Sequence, residues 1–503
     1  MTVCNIAIIG GGVIGCTIAR WLSKYTYTHN GQSLKILLIE KAEDVCSGTS
    51  KANSGIIHSG YAAKGGSLKC DLNVIGNPMF TKAHEELNFE FNRVGSFVVA
   101  VEDSELTVLE MEKKKGDERK IPGEIITDVK RIKAMEPNII DSVKGIYHSP
   151  TAGLIWPFGL TIALAENAHA NGVDFLFSSP VTDIQKMGDK FEIRAGDTQI
   201  TTDYIINAAG LYADDISNMV GLNYFTITAR KGEYILLDKN AMNLNHILFP
   251  IPTEFSKGIL VCPTLHGNTF IGPNSNLLDE KDDISTTSQG LNEIISGAKK
   301  MFPNIPLRTA ITNFAGLRAI SSRGRDFIIE ATEVEGFVNV AGICSPGLSS
   351  CLSIAEKVVG IMREDIGLDL VIKKNWNPYR KPTKRLLQMT EKEISGSVKK
   401  NPQWGRVICR CETVTEAEIV NAIRGSEIGN TPLGARSLDM IKKRLRPGMG
   451  RCQGAFCTPK LLKILSRELK IPVEQVTKNV KGSEIIVGRT KGLESIIWEG
   501  DNP

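Results

Sequence analysis

The sequence predicts an α/β fold in three parts: a parallel-sheet domain that opens the chain, an antiparallel-sheet domain inserted into it, and a small helical, cysteine-rich module at the end. Three observations predict it. An apolar strand, a glycine turn, a helix and a second strand follow one another before Lys41. Short strands alternate with turns from Lys231 to Gly272. Cys409, Cys411, Cys452 and Cys457 form two close pairs in one late segment.

The opening stretch carries the argument. Val3 to Ile9 is an apolar strand, Gly10-Gly11-Gly12-Val13-Ile14-Gly15 a turn, and Ile14, Ile18, Trp21 and Leu22 share one face of the helix that follows. Gly10, Gly12 and Gly15 allow a tight turn, close approach of backbone to a pyrophosphate and close helix packing, and the helix N-terminus offers free N–H groups to phosphate. Glu40, ending the second strand, stands where a carboxylate accepts hydrogen bonds from a ribose hydroxyl. Strand, turn, helix, strand and acid in this order predict a Rossmann-like domain with a bound dinucleotide. The polar insertion from Tyr25 to Ser33 lengthens the path to Glu40 and reads as an enlarged surface loop.

Composition narrows the class. At 503 residues, 42% hydrophobic, 23% charged and with a net charge of +4, the chain has room for two or three globular domains, and so weak a basic excess argues against a nucleic-acid partner. No run approaches the roughly 20 apolar residues of a membrane span, and the N-terminus is itself the core strand with no signal-peptide regions. A soluble cytoplasmic protein is expected, with peripheral membrane docking left open. Cys4, Cys16, Cys46, Cys70, Cys262, Cys344 and Cys351 are scattered among apolar or glycine-rich segments and read as reduced, buried side chains.

The remaining elements follow in order. Ser47 to Tyr61, with Thr49, Ser50 and His58, is rich in small and polar residues and is expected outside the core, along a cofactor. Gly95–Val101 reads as a strand, Glu105–Lys115 as a charged helix, and Gly159–Gly172 as an amphipathic helix leading into strands at Val173–Phe177 and Pro180–Ile184. Lys190–Ala195 and Thr198–Thr202 form a hairpin around Gly196-Asp197, feeding the strand Tyr204 to Gly210. Phe337–Ile343 is a strand, and Ser345-Pro346-Gly347-Leu348-Ser349 starts a helix running to Met362, a second N-terminus for an electron-rich group. A basic, proline-marked segment from Lys373 to Pro382 reads as a linker or strap. The chain thus divides into residues 1–370, a linker 371–404, a module 405–470 and a tail 471–503.

These landmarks together resemble the glycine/D-amino-acid oxidase superfamily of FAD enzymes over about residues 1–365: the glycine loop with Glu40-Lys41, the loop from Thr49-Ser50 to His58, Asn207-Ala208-Ala209-Gly210, Gly316-Leu317-Arg318 and Ser345-Pro346-Gly347-Leu348. The resemblance implies a Rossmann-like FAD-binding domain interrupted by a substrate domain. It also implies FAD contacts from Gly10, Gly12, Gly15, Glu40, Lys41, Thr49, Ser50, Val181, Gly210, Gly347 and Leu348. Within the superfamily the chain looks most like FAD-dependent glycerol-3-phosphate dehydrogenases and L-2-hydroxyglutarate dehydrogenases or oxidases. The segments Val407 to Glu412 and Gly448 to Cys457 resemble a bacterioferritin-associated-ferredoxin-like [2Fe-2S] module, as ends the large subunit of anaerobic glycerol-3-phosphate dehydrogenases. Independently, two thiolate pairs about forty residues apart suit one soft metal centre, and zinc is the rival ligand.

The resemblance assigns His58 to take or orient the substrate hydroxyl proton, and Arg318 and Arg325 to bind an anionic substrate. Two guanidinium forks suit a phosphate. Against this, the glycerol-3-phosphate enzymes carry a lysine in the turn where this chain reads Ile343-Cys344-Ser345, closer to the hydroxyglutarate group. Glycerol 3-phosphate is therefore ranked first, a 2-hydroxy acid second, with electrons passing through FAD and the cluster to a partner protein or quinone. A non-catalytic FAD and cluster relay subunit is the reading from another class.

Overall fold

The computed structural model describes residues 2–27, 33–252, 258–382, 384–425 and 432–488. The chain forms two compact units, residues 1–381 and 382–503.

The first unit is built on the predicted strand, here Thr2–Ile9. It lies between the parallel strands Ile36–Ile39 and Thr198–Asn207, with Val173–Leu176 added parallel at one edge. Phe337–Ala341 runs parallel to the second half of Thr198–Asn207, while the first half carries the hairpin partner Lys190–Ala195 and then Val181–Met187, both antiparallel. Ala7 and Ile9 face one way into a core with Leu37, Phe191, Ile193 and Ile205. Ile6 and Ile8 are also fully buried, as a continuous apolar run with both faces covered requires. The helices Val13–Leu22, Pro157–Ala170 and Gly347–Glu364 pack as one group, and Leu68–Leu87 packs on the last of them.

Three expectations change here. Pro157–Ala170 is not amphipathic: residues from Leu160 to Ala165 are buried without a break, because the helix lies between Val13–Leu22, the turn Thr49–Lys51 and the strand Val173–Leu176. The segment Ser47 to Tyr61 is not wholly outside the core either. Ile56 and Ile57, 4% and 0% exposed, pair with Gly153–Ile155 in a small three-stranded sheet. Of the polar insertion, Tyr25–Tyr27 pairs with Leu370–Ile372 instead of looping, and residues 28–32 lie outside the described residues.

Among the described residues the second sheet has nine strands. Its spine is the pair Ile227–Leu237 and Ala310–Ser321, in register with Arg230 opposite Arg318. The short strands expected between Lys231 and Gly272 are present as Ile247–Pro250, Val261–Pro263 and Thr269–Ile271, but the sheet does not end with them. Ile247–Pro250 pairs parallel with Ser96–Ala100, which brings Gly145–Ser149 and Glu124–Ile126 into the same sheet from a much earlier part of the chain.

The segment 371–404 divides between the units. Lys373 and Arg380 bond back to the backbone at Lys24 and Glu86 in the first. Glu391–Lys400 is a helix of the second, with a capping box from Thr390 and Glu393. That second unit packs Glu416–Arg424, Leu438–Leu445 and Thr458–Leu469 around Ile419, Ile441, Leu461 and Leu465. Val476, 0% exposed, belongs to this core, so packing continues past residue 470; residues 489–503 lie outside the described ones. No helix among the described residues is long and apolar enough to cross a membrane.

Candidate active site and iron–sulfur module

At Gly10 and Gly15 the glycine turn has no room for a side chain. A Cβ on Gly10, whose φ is +114°, would lie 2.4 Å from the carbonyl oxygen of Ala208, and one on Gly15 would lie 1.9 Å from that of Gly10. Gly11 N–H donates to Glu40 Oε2 at 2.6 Å and Ala42 N–H to Oε1 at 2.8 Å. Both carboxylate oxygens are thereby aimed, and each keeps acceptor capacity for a ribose hydroxyl. Val13 N–H, one of the helix-start donors assigned to phosphate from sequence, instead donates to Ser50 Oγ at 2.9 Å. That bond draws the turn Thr49–Lys51 over the loop beside Gly12. Gly210, at φ +62°, has open space where a Cβ would stand. A cradle of small residues, oriented N–H groups and one aimed carboxylate fits a dinucleotide. Of the remaining expected contacts, Lys41 is exposed with its ammonium 3.5 Å from the ring centroid of Tyr212, and Val181 opens its strand half-buried.

His58 is pinned through its backbone. Its N–H donates to Ser349 Oγ at 2.8 Å, and its carbonyl accepts from Asn73 and Asn77 at 2.9 and 3.0 Å. The imidazole lies 5.9 Å from the Phe249 ring and shares a cleft with Pro250 and Pro346. Gly347 and Leu348 start the helix behind that cleft, and a Cβ on Gly347 would meet Ile343 at 2.6 Å. The substrate-domain sheet presses against the same loop: a Cβ on Gly316 would lie 2.0 Å from the carbonyl oxygen of Ala52.

Arg318 lies two residues on, half-buried. Its guanidinium donates to the carbonyls of Asn274, Lys231 and Arg230 at 2.8, 3.2 and 3.4 Å. Burial lowers its pKa, opposed by the nearby Tyr234 and Cys344. Tyr234 is itself buried and its pKa raised, with its hydroxyl 3.2 Å from Ser54 Oγ. Arg325 differs in every respect. It is exposed beside Gly324, and among the described residues its side chain has no recorded hydrogen bond or ion pair. Its neighbour Asp326 instead caps the helix Leu68–Leu87, accepting from Leu68 and Lys69 N–H.

Sequence reasoning missed four residues. Asn73 and Asn77, four apart on one helix face, were detectable by helical spacing. Ser349 and Lys69 were not. Lys69 Nζ reaches Cys344 Sγ at 3.1 Å across 275 residues, placing a cation at the turn whose own sequence lacks one.

In the second unit the four cysteines form two cross pairs. Cys411 Sγ lies 3.8 Å from Cys452 Sγ. The Cys457 thiol bonds to Cys409, which lowers the Cys409 pKa to about 6, aided by backbone N–H groups of Glu412 and Gly448. Backbone N–H groups of Phe456 and Gly454 lower the pKa of Cys452. The partners Cys411 and Cys457 are raised in turn, so each pair holds one thiolate and one thiol, and paired sulfurs with backbone N–H groups aimed at them fit an iron–sulfur cluster. A Cβ on Gly450 would lie 2.2 Å from that of Cys411, so the two cysteine loops approach too closely for a side chain there.

Comparison with known proteins completes the picture. Residues 5–360 match the family model described as FAD dependent oxidoreductase, and residues 407–467 that of the BFD-like [2Fe-2S] binding domain, which decides for iron–sulfur over zinc. The chain is similar to a glycerol 3-phosphate dehydrogenase of Caloramator mitchellensis, 46% identical over 97% of this chain and 99% of the relative. It is also similar to a glycerol 3-phosphate oxidase of Mycoplasma genitalium, 33% identical over 75% and 98%. Among solved structures, the FAD-bound L-alpha-glycerophosphate oxidase of Mycoplasma pneumoniae superposes with a TM-score of 0.71, at 28% identity, over 76% of this chain and 99% of that one. A glycine cradle shaped for a dinucleotide, a family match over most of the chain and a second match spanning all four late cysteines lead to one conclusion: this chain belongs to the FAD-dependent oxidoreductases and ends in a BFD-like [2Fe-2S] binding domain.

Proposed function

We propose that the chain oxidises the secondary alcohol of glycerol 3-phosphate to dihydroxyacetone phosphate and passes the electrons through its cluster module to an acceptor. The relatives named above support the substrate. The observation that carries the reading is Arg318: its desolvated guanidinium is answered by three carbonyl dipoles and by no recorded carboxylate among the described residues, so an anionic substrate would supply the missing charge. FAD, when bound, supplies the hydride acceptor. His58 takes the hydroxyl proton, its position held by Ser349, Asn73 and Asn77. Arg318 holds the phosphate and Arg325 approaches it from the surface. Lys69, at Cys344, adds positive charge near the turn.

An anaerobic absorption spectrum tests this first. Glycerol 3-phosphate is expected to bleach the flavin bands and L-2-hydroxyglutarate to leave them unchanged. Bleaching by hydroxyglutarate alone replaces the substrate; bleaching by neither leaves the relay-subunit reading. Site variants then sort the roles. His58→Asn is expected to lower turnover roughly 10²-fold, the usual worth of a positioned acid–base group, with FAD retained. Arg318→Met should reduce kcat/KM by roughly 10²–10³-fold, mostly through KM, since removing one member of a desolvated charge pair costs about 2–5 kcal/mol. Arg325→Met should cost about tenfold or less, because an exposed ion pair contributes at most about 1 kcal/mol. Equal losses in the two arginine variants would contradict this division.

A further inference from the structure

The surface around the cluster ligands is one-signed. Phe456, between Cys452 and Cys457, is 41% exposed. The Arg410 guanidinium lies 4.7 Å from its ring centroid and the Lys460 ammonium 4.5 Å. Arg410 is the residue between Cys409 and Cys411, and Lys460 is in the first turn after Cys457. Lys463, also exposed, stands at the rim of an adjoining groove floored by Leu462 and Val473. None of these three cations has a recorded carboxylate partner among the described residues. The acids nearby are committed elsewhere: Glu412 to Arg446, Glu416 to Arg406 and Arg467, and Glu468 to Arg424 and Arg467. From Gly448 to Lys463 there is no aspartate or glutamate, although the whole chain is nearly balanced at 60 basic and 56 acidic residues.

A surface cation–π contact contributes about 0.5–1 kcal/mol, which explains one cation over Phe456. It does not explain gathering three cations without a counter-charge, since like charges repel. An apolar anchor inside a charged rim, with arginine and an aromatic at its centre, is how interfaces are built.

We propose that this face docks an acidic redox protein, the electron acceptor, through Arg410, Phe456, Lys460 and Lys463. The inference rests on the reading that electrons leave through the cluster module. A protein partner fits better than a bilayer because the adjoining groove is concave, and a flat membrane surface cannot enter it.

The test uses the full chain loaded with FAD and iron, and oxidised, fluorescently labelled flavodoxin and plant-type ferredoxin as acidic probes, with basic cytochrome c as control. Fluorescence anisotropy is expected to show both acidic probes binding, with affinity falling at least about tenfold from about 20 mM to about 300 mM salt, and cytochrome c not binding. The double variant Lys460→Glu/Lys463→Glu should weaken binding by at least about tenfold, with iron content, FAD content and flavin bleaching by substrate unchanged. Absence of binding by either acidic probe, or binding indifferent to the charge reversal, overturns the proposal. So does binding of phosphatidylglycerol vesicles that the reversal abolishes while neither acidic protein binds, since the face would then be a membrane contact. Failure of substrate to bleach the flavin would count against the proposed function and not against this surface.

Discussion

Gly15→Ala is expected to leave the protein without FAD and its first unit destabilised by about 3 kcal/mol, the upper range for forcing an extra methyl into a packed site. The new Cβ would sit 1.9 Å from the carbonyl oxygen of Gly10 and 3.5 Å from Ile8 Cγ2. The nearer atom is backbone and cannot swing aside. Relief requires Val13–Leu22 to move off the strand Thr2–Ile9, which would carry away the helix start and loosen Ser50 from Val13 N–H. Gly360→Ala is the matched control. It lies inside the helix Gly347–Glu364 with nothing within 4 Å of its Cβ position, so it should stabilise by about 1 kcal/mol through helix propensity. The ratio of flavin to protein absorbance after gel filtration, with thermal midpoints, decides. A Gly15→Ala protein that keeps stoichiometric FAD would contradict the close packing.

Arg446→Met is expected to cost the cluster module up to about 3–5 kcal/mol, the penalty for removing one member of a buried ion pair. Arg446 Nε donates to Glu412 Oε2 at 2.8 Å, with the side chains 9% and 3% exposed. Glu412 follows Cys411 directly, so a carboxylate seeking water would pull this candidate ligand with it. Iron and sulfide content should fall while substrate still bleaches the flavin of the first unit. The double variant Arg446→Met/Glu412→Gln removes both charges of the pair and should recover part of the loss. Single and double variants with equal iron loss would show that the ion pair is not the cause.

Much of the candidate site was legible because its signals act over a few residues. Glycine spacing, the acid after the second strand and the Gly196-Asp197 turn each express a local dihedral or hydrogen-bond requirement, and the corresponding elements stand where expected. The cysteine pairs were legible for the same reason, since soft ligands announce themselves by type and interval. What only the tertiary structure decided depends on distant partners. Whether Pro157–Ala170 shows water a polar face, and whether Ile56-Ile57 is loop or core, is set by what packs on them. Ser96–Ala100 joins the substrate-domain sheet through Ile247–Pro250, a parallel pairing that no local pattern encodes. The two arginines looked alike in sequence, yet one is desolvated against carbonyls and the other stands in solvent. Lys69 restores a cation at Cys344 from a helix 275 residues away. A sequence prescribes the conformations its neighbouring residues can adopt, but burial and charge environment are properties of the whole fold, because they depend on which distant surfaces exclude water together.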